Sequence, residues 1–278
     1  MKEFKSAPLP FMGQKRMFAN EFKKVLNRFD HASMFVDLFG GSGLLSHLAK
    51  RTVPDAQVVY NDFDNYRRRL DNIARTNSLL ADLRDLVVGC PRAKVLPIVI
   101  KAAVLKRIEI EEQSGFVDYI TLSSSLLFSM KYVLNITDLG KEAFYNNVRK
   151  ADYDCTGYLD GITVTCEDYK TLFERYKDVP GVVFLVDPPY LSTEVGTYNM
   201  SWKLSDFLDV QTVLSDNSYI FFTSNKSEII ELCQWIEDHK DFENPFIGAD
   251  KSVFNARMNY NSTYLDMMLY RQESRMAA

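Results

Sequence analysis

Met34-Phe35-Val36-Asp37-Leu38-Phe39-Gly40-Gly41-Ser42-Gly43 is a short apolar run that ends on an acid and then on a glycine-rich turn. Leu44-Leu45-x-x-Leu48-Ala49 follows at helical spacing, so the stretch predicts strand, loop and helix. Working outward, Val58-Val59-Tyr60 predicts a second strand with Asn61-Asp62 at its end. Val182 to Val186 predicts another, closed by Asp187-Pro188-Pro189-Tyr190, and Tyr219 to Thr223 a further one, closed by Ser224-Asn225. Short, wholly apolar runs with polar residues at their C-terminal ends are what a parallel sheet covered on both faces requires. Such sheets bind ligands at those ends. The expected fold is therefore α/β, with a Rossmann-like, mostly parallel sheet.

The stretch from 78 to 161 differs: helix-like segments dominate, including Leu83 to Val88, Val99 to Glu112 and Tyr119 to Val133. It reads as a helical insert in a core made of 1–77 and 162–278. At 278 residues, 46% hydrophobic and 25% charged, the chain is excluded from the disordered and small disulfide-stapled classes. Its four cysteines contain no C-x-x-C, and His31, His47 and His239 fall at no metal-ligand spacing, so no metal is expected. No stretch approaches 18 consecutive apolar residues, and no signal-like run follows Met1-Lys2-Glu3-Phe4-Lys5. The expected location is cytoplasmic, without membrane association. The net charge of −4 does not advertise a polyanionic partner, but Arg92, Lys94, Lys101, Lys106 and Arg107 occur in a stretch without an acid. That stretch is either a nucleic-acid contact or a solvated helix face.

The glycine loop alone is a weak signal. Gly41-x-Gly43-x-x-Ser46 approaches a dinucleotide fingerprint, and Asp62, nineteen residues past Gly43, stands near where a ribose-binding acid belongs. Asp37 at the loop entry would repel a pyrophosphate yet could accept from an ammonium, so a nucleoside with a cationic amino-acid end fits better. S-adenosylmethionine is such a ligand. In Asp187-Pro188-Pro189-Tyr190 two prolines remove two N–H donors, leaving carbonyls without competing donors. The Asp187 carboxylate and the Pro188 carbonyl can then take the two hydrogens of an exocyclic amine, with Tyr190 as a face for the base to stack on.

The ordered set Pro10-Phe11-Met12-Gly13-Gln14-Lys15, Asp37 to Gly43, Asn61-Asp62, Cys166-Glu167-Asp168-Tyr169 and Asp187-Pro188-Pro189-Tyr190 resembles the Dam-like adenine-N6 DNA methyltransferases. The resemblance spans both ends of the chain and skips the middle. It implies an S-adenosylmethionine pocket, with S-adenosylhomocysteine as product, lined by Phe11, Gly13, Lys15, Asp37, Phe39, Gly40, Gly41, Gly43, Asp62, Asp168, Tyr169 and Asp187. It implies a catalytic turn of Asp187, Pro188, Pro189 and Tyr190, double-stranded DNA as partner, and room for a cognate restriction endonuclease in the same system. Asn225 is similar to the family's Ser-Asn beside the target pocket and, with Lys101, Lys106 and Arg107, is a candidate nucleic-acid contact. Gln14 stands where the family has a second glycine, Leu38 where it commonly has proline, and the middle aligns with none of its target-recognition domain.

Other readings stay open. Lys15 also reads as a surface lysine, Phe11 and Phe39 as core aromatics, and Asp168 as the N-cap of a helix over Tyr169 to Tyr176. An amine methyltransferase acting on RNA or a protein, a non-catalytic nucleic-acid-binding relative and a nicotinamide oxidoreductase are the rival functions.

Overall fold

The computed structural model describes residues 3–128, 131–189, 204–225, 229–237, 244–259 and 262–272. The chain divides into two compact units. The sheet unit comprises Met1–Ser6, Gln14–Asp64 and Tyr158–Ala278, and the helical unit Ala7–Gly13 and Asn65–Gly157.

In the sheet unit, seven strands, β1 (Met34–Asp37), β2 (Gln57–Asn61), β3 (Thr163–Thr165), β4 (Val182–Val186), β5 (Ser218–Ser224), β6 (Asp250–Asn259) and β7 (Ser262–Arg271), lie in the order β3-β2-β1-β4-β5-β7-β6. The first five are parallel, and β7 runs antiparallel to both β5 and β6. β4 is buried along its whole length because both faces are covered. Phe35, Val58, Val183, Leu185, Ile220 and Phe222 face the helices α1 (Ala19–Leu26) and α2 (Leu44–Thr52). Val36, Val59, Phe184, Val186 and Phe221 face α8 (Tyr169–Tyr176) and α9 (Leu204–Leu214). Alternation along each strand thus feeds two cores, and each buried Val, Leu or Phe contributes about 1.5–3 kcal/mol. The polar residues accumulate at the C-terminal ends. The order reverses direction between β1 and β4, which makes that crevice the topological switch point.

The helical unit carries α3 (Tyr66–Asp71), α4 (Ile73–Leu86), α5 (Ile98–Ser114), α6 (Tyr119–Leu126) and α7 (Ile136–Lys141). The expected helix over Tyr119 to Val133 stops at Leu126, and Leu127 is extended. The serine run explains the break: Ser123 and Ser125 return their hydroxyls to the carbonyls of Tyr119 and Thr121, and Ser123 Oγ then accepts from Val133 N–H at 3.0 Å.

The unit begins at Asn65 rather than at 78, ends at Gly157 rather than 161, and takes in 7–13, which corrects the sequence-based boundaries. Buried polar groups cause the shift. Tyr66 Oη exchanges hydrogen bonds with the backbone of Leu9, and Arg69 donates to Pro10 O at 2.8 Å and to Asp118 at 3.0 Å. Asn77 further pairs with the backbone of Tyr153.

Candidate active site at the switch point

The glycine loop is shaped by Tyr60, the last apolar residue of β2. Its ring lies so close under the loop that a Cβ on Gly40 would come within 2.2 Å of it and within 2.6 Å of Asn61 O. Gly43 opens α2 at φ +72°, a left-handed conformation that favours glycine. The loop carbonyls are all taken by protein: Gly40 O by Gly43 N–H (2.7 Å), Gly41 O by Tyr60 Oη (2.8 Å), Ser42 O by Tyr158 Oη (3.0 Å) and Gly43 O by His47 N–H (2.8 Å). In a trans peptide the following N–H points the opposite way, so the amides of Gly41 and Ser42 turn away from those partners.

Asp37 ends β1 fully buried. One carboxylate oxygen accepts from Ser46 Oγ at 2.7 Å, and the other is buried with no hydrogen-bond partner. Burial pushes its pKa up to about 7; the Ser46 hydroxyl and the N–H groups of Phe39 and Ser46 oppose the rise, and the Asp187 carboxylate adds to it. Among the described residues no cation pairs with Asp37. A buried carboxylate short of one donor, beside outward-turned amides at a switch point, suits an ammonium–carboxylate zwitterion carried by a nucleoside. The residues present therefore fit S-adenosylmethionine.

Asp62, after β2, lies with one carboxylate oxygen 2.9 Å from Tyr60 Oη, whose single hydrogen it shares with Gly41 O, and its own N–H reaches Thr165 O. Asn61 ties the loops after β1 and β3 together, donating to Leu38 O and Glu167 O and accepting from Glu167 N–H, each at 2.9 Å. Across the switch point, Asp187 pairs with Lys15 Nζ at 2.7 Å. Burial raises the Asp187 carboxyl above its ordinary value, while Lys15 favours its ionised form. Lys15 itself is buried, which sets aside its surface reading.

Lys15, Asp37, Phe39, Gly40, Gly41, Gly43, Asp62, Asp168, Tyr169, Asp187, Pro188 and Pro189 thus belong to the sheet unit, whereas Phe11 and Gly13 belong to the helical one, where Phe11 meets Tyr66 edge-on. The chain changes unit inside the N-terminal motif, between Gly13 and Gln14. Asp168 is exposed and caps α8, accepting from Lys170 N–H at 2.9 Å, so the capping reading describes its side chain. Tyr169 and Phe39 pack ring to ring at 4.8 Å against the core. Tyr190 lies outside the described residues.

Phe63 was not singled out by the sequence reading. It is 48% exposed directly after Asp62, an apolar face beside the acid; its signal was the aromatic following the acid.

The nucleic-acid candidates are more constrained than their spacing suggests. Lys101 donates to Gly140 O at 2.7 Å, and Arg107 is spent on Asp82 and Glu111, at 2.7 and 2.8 Å. Lys106 is exposed. Of the three expected phosphate contacts, Lys101 and Arg107 thus hold partners within their own unit. Asn225 extends the β5–β7 pairing, its side-chain oxygen accepting from Leu265 N–H at 2.8 Å.

Among the described residues no helix is long and apolar enough to cross a membrane, and no group of His, Cys, Asp or Glu is arranged to hold a metal ion.

No family model matches the chain. Among solved structures, a precorrin-6Y C5,15-methyltransferase from Geobacter metallireducens aligns at 9% identity and a TM-score of 0.35, covering 92% of this chain and 90% of its own. A "putative rRNA-methylase" from Clostridium thermocellum aligns at 10% identity and a TM-score of 0.35, covering 89% of this chain and 96% of its own. A Haemophilus influenzae protein, "Putative methyltransferase", is 39% identical over 283 residues, which span 97% of this chain and 93% of that protein. The chain belongs to the same family and is a methyltransferase.

Proposed function

We propose that the methyl acceptor is the N6 amine of an adenine flipped out of double-stranded DNA. The observation that carries this reading is the Asp187-Pro188-Pro189 turn, set at the end of β4 across the switch point from Asp37, with a buried lysine on its carboxylate. S-adenosylmethionine supplies an electrophilic methyl group when bound. Asp37 takes its ammonium and Asp62 its ribose hydroxyls.

Lys15 orients Asp187 through Oδ2, so that the carboxylate and the Pro188 carbonyl accept the two amine hydrogens and hold the nitrogen lone pair toward the methyl group. The nitrogen gains a methyl and sheds one proton. Burial gives Asp187 more affinity for that proton than an ordinary carboxylate has. An adenine inside a duplex cannot reach this turn, so the base must be extruded.

The internal use of Lys101 and Arg107 favours one second reading, an amine on a protein side chain, because it removes two of the cations that nucleic-acid phosphates would use. Sequencing genomic DNA from cells that express the protein decides between the two. N6-methyladenine at one recurring sequence supports the proposal. Unmodified DNA together with methylated RNA or protein overturns it.

A further inference from the structure

Three segments distant in sequence meet behind the glycine loop. His47, on α2, is fully buried. Its Nε2 accepts from Phe4 N–H at 3.0 Å, and its Nδ1 lies 2.7 Å from Tyr158 O. A carbonyl cannot donate and a backbone N–H cannot accept, so His47 must be the neutral tautomer with its proton on Nδ1. The Tyr158 ring stacks on the imidazole at 4.8 Å and 17°, and Phe4 stands edge-on to both. Tyr158 is where the chain re-enters the sheet unit. Its hydroxyl, also buried, donates to Ser42 O.

None of these residues belongs to a motif, yet together they fix one peptide plane of the cofactor loop. The Ser42–Gly43 peptide carries two opposed bonds: its carbonyl goes to Tyr158, and its N–H closes the turn onto Gly40 O. The neighbouring Gly41 carbonyl is held by Tyr60. Without the Tyr158 hydroxyl, Ser42 O would be a buried acceptor without that donor, and the peptide would gain by rotating away from it. Rotation would open the Gly43–Gly40 bond and so free the Gly40–Gly41 peptide, re-aiming the Gly41 amide.

We infer that Tyr158, held in place by neutral His47 and Phe4, is a positioning residue that preorganises the glycine loop for the cofactor. The inference rests on the methyltransferase site described above and adds to it a residue that touches neither cofactor nor acceptor. Tyr158 acts on affinity: it sets the free energy of the empty loop, which binding energy would otherwise have to organise.

Tyr158→Phe is the test, because it removes only the hydroxyl and keeps the ring and the carbonyl that faces His47. In calorimetric titration with S-adenosylhomocysteine, the variant should bind roughly three- to tenfold more weakly than wild type, the effect of one lost hydrogen bond. Hydrogen exchange should quicken in the peptide covering 38–46 and stay unchanged in β4. KM for S-adenosylmethionine should rise while kcat at saturating cofactor stays within about twofold. Equal affinity in variant and wild type, or faster exchange in β4 as well, would overturn the inference. Failure of wild type to bind S-adenosylhomocysteine would instead overturn the site reading beneath it.

Discussion

Two buried carboxylates, Asp118 in the helical unit and Asp37 in the sheet unit, are handled in opposite ways. In the helical unit Arg69 is buried with its counter-charge Asp118 at 3.0 Å and with Thr121 and Pro10 O as further partners, although its Nη1 is unmatched. In the sheet unit Asp37 is just as buried, yet one of its oxygens is unmatched and its pKa is driven up to about 7. A charge that folding alone required would have come with a partner, as Asp118 did. The difference teaches where to look for a ligand: an uncompensated carboxylate costs stability, and that cost is offset when a cation arrives.

The largest effect expected is on catalysis. Asp187→Ala should lower single-turnover methyl transfer by roughly a thousandfold or more, since the acceptor it supplies acts in the transition state. Binding of S-adenosylhomocysteine should survive. A near-normal rate would show the turn to be structural.

Next come the two buried carboxylates themselves. Asp118→Ala leaves the Arg69 guanidinium buried without its counter-charge and should cost about 3–5 kcal/mol in urea unfolding. Asp37→Asn should do the reverse. The folded pKa of Asp37 is raised, so its contribution to stability is full below the ordinary carboxylate range and is lost as pH rises through about 7. The neutral amide escapes that loss, making the unliganded variant the more stable above pH 7 while weakening cofactor binding roughly ten- to hundredfold. Similar stability losses in both variants would dissolve the contrast between the two carboxylates.

The smallest effect belongs to the exposed cation. Lys106→Ala should reduce the salt slope of DNA binding by at most about 0.9, the value for one phosphate contact. Lys101→Ala and Arg107→Ala should lower stability instead, because each loses an internal partner. A larger slope change in either of those two would return them to the phosphate surface.

Much of the sheet was legible because a doubly covered parallel strand leaves a plain trace, as in Val182 to Val186. Asp37, the loop glycines and Asp187 were legible for the same reason, standing where apolar runs stop. What escaped depends on contacts between distant residues. Gly40 is required by the Tyr60 ring, which no local pattern announces. Arg69 lies in an Arg67-Arg68-Arg69 run that looks solvated, yet it is buried against Asp118 inside a unit that begins at Asn65. Lys101 and Arg107 formed an acid-free cluster in sequence while their partners, Gly140, Asp82 and Glu111, lay elsewhere. His47 and Tyr158 carried no motif, and their roles appear only when Phe4 and Ser42 are brought to them.

The claim that Asp37 is kept for a cationic ligand is tested most directly by calorimetric titration of S-adenosylhomocysteine between pH 6 and 8, repeated in buffers of different ionisation enthalpy. Below about 7 the Asp37 carboxyl carries a proton that the ligand's ammonium must displace. Affinity should therefore fall about tenfold per unit below that point, with nearly one proton released per ligand at pH 6 and little at pH 8. Asp37→Asn should abolish both trends. Affinity that is flat across this range, with no proton released by the wild type, would contradict the account.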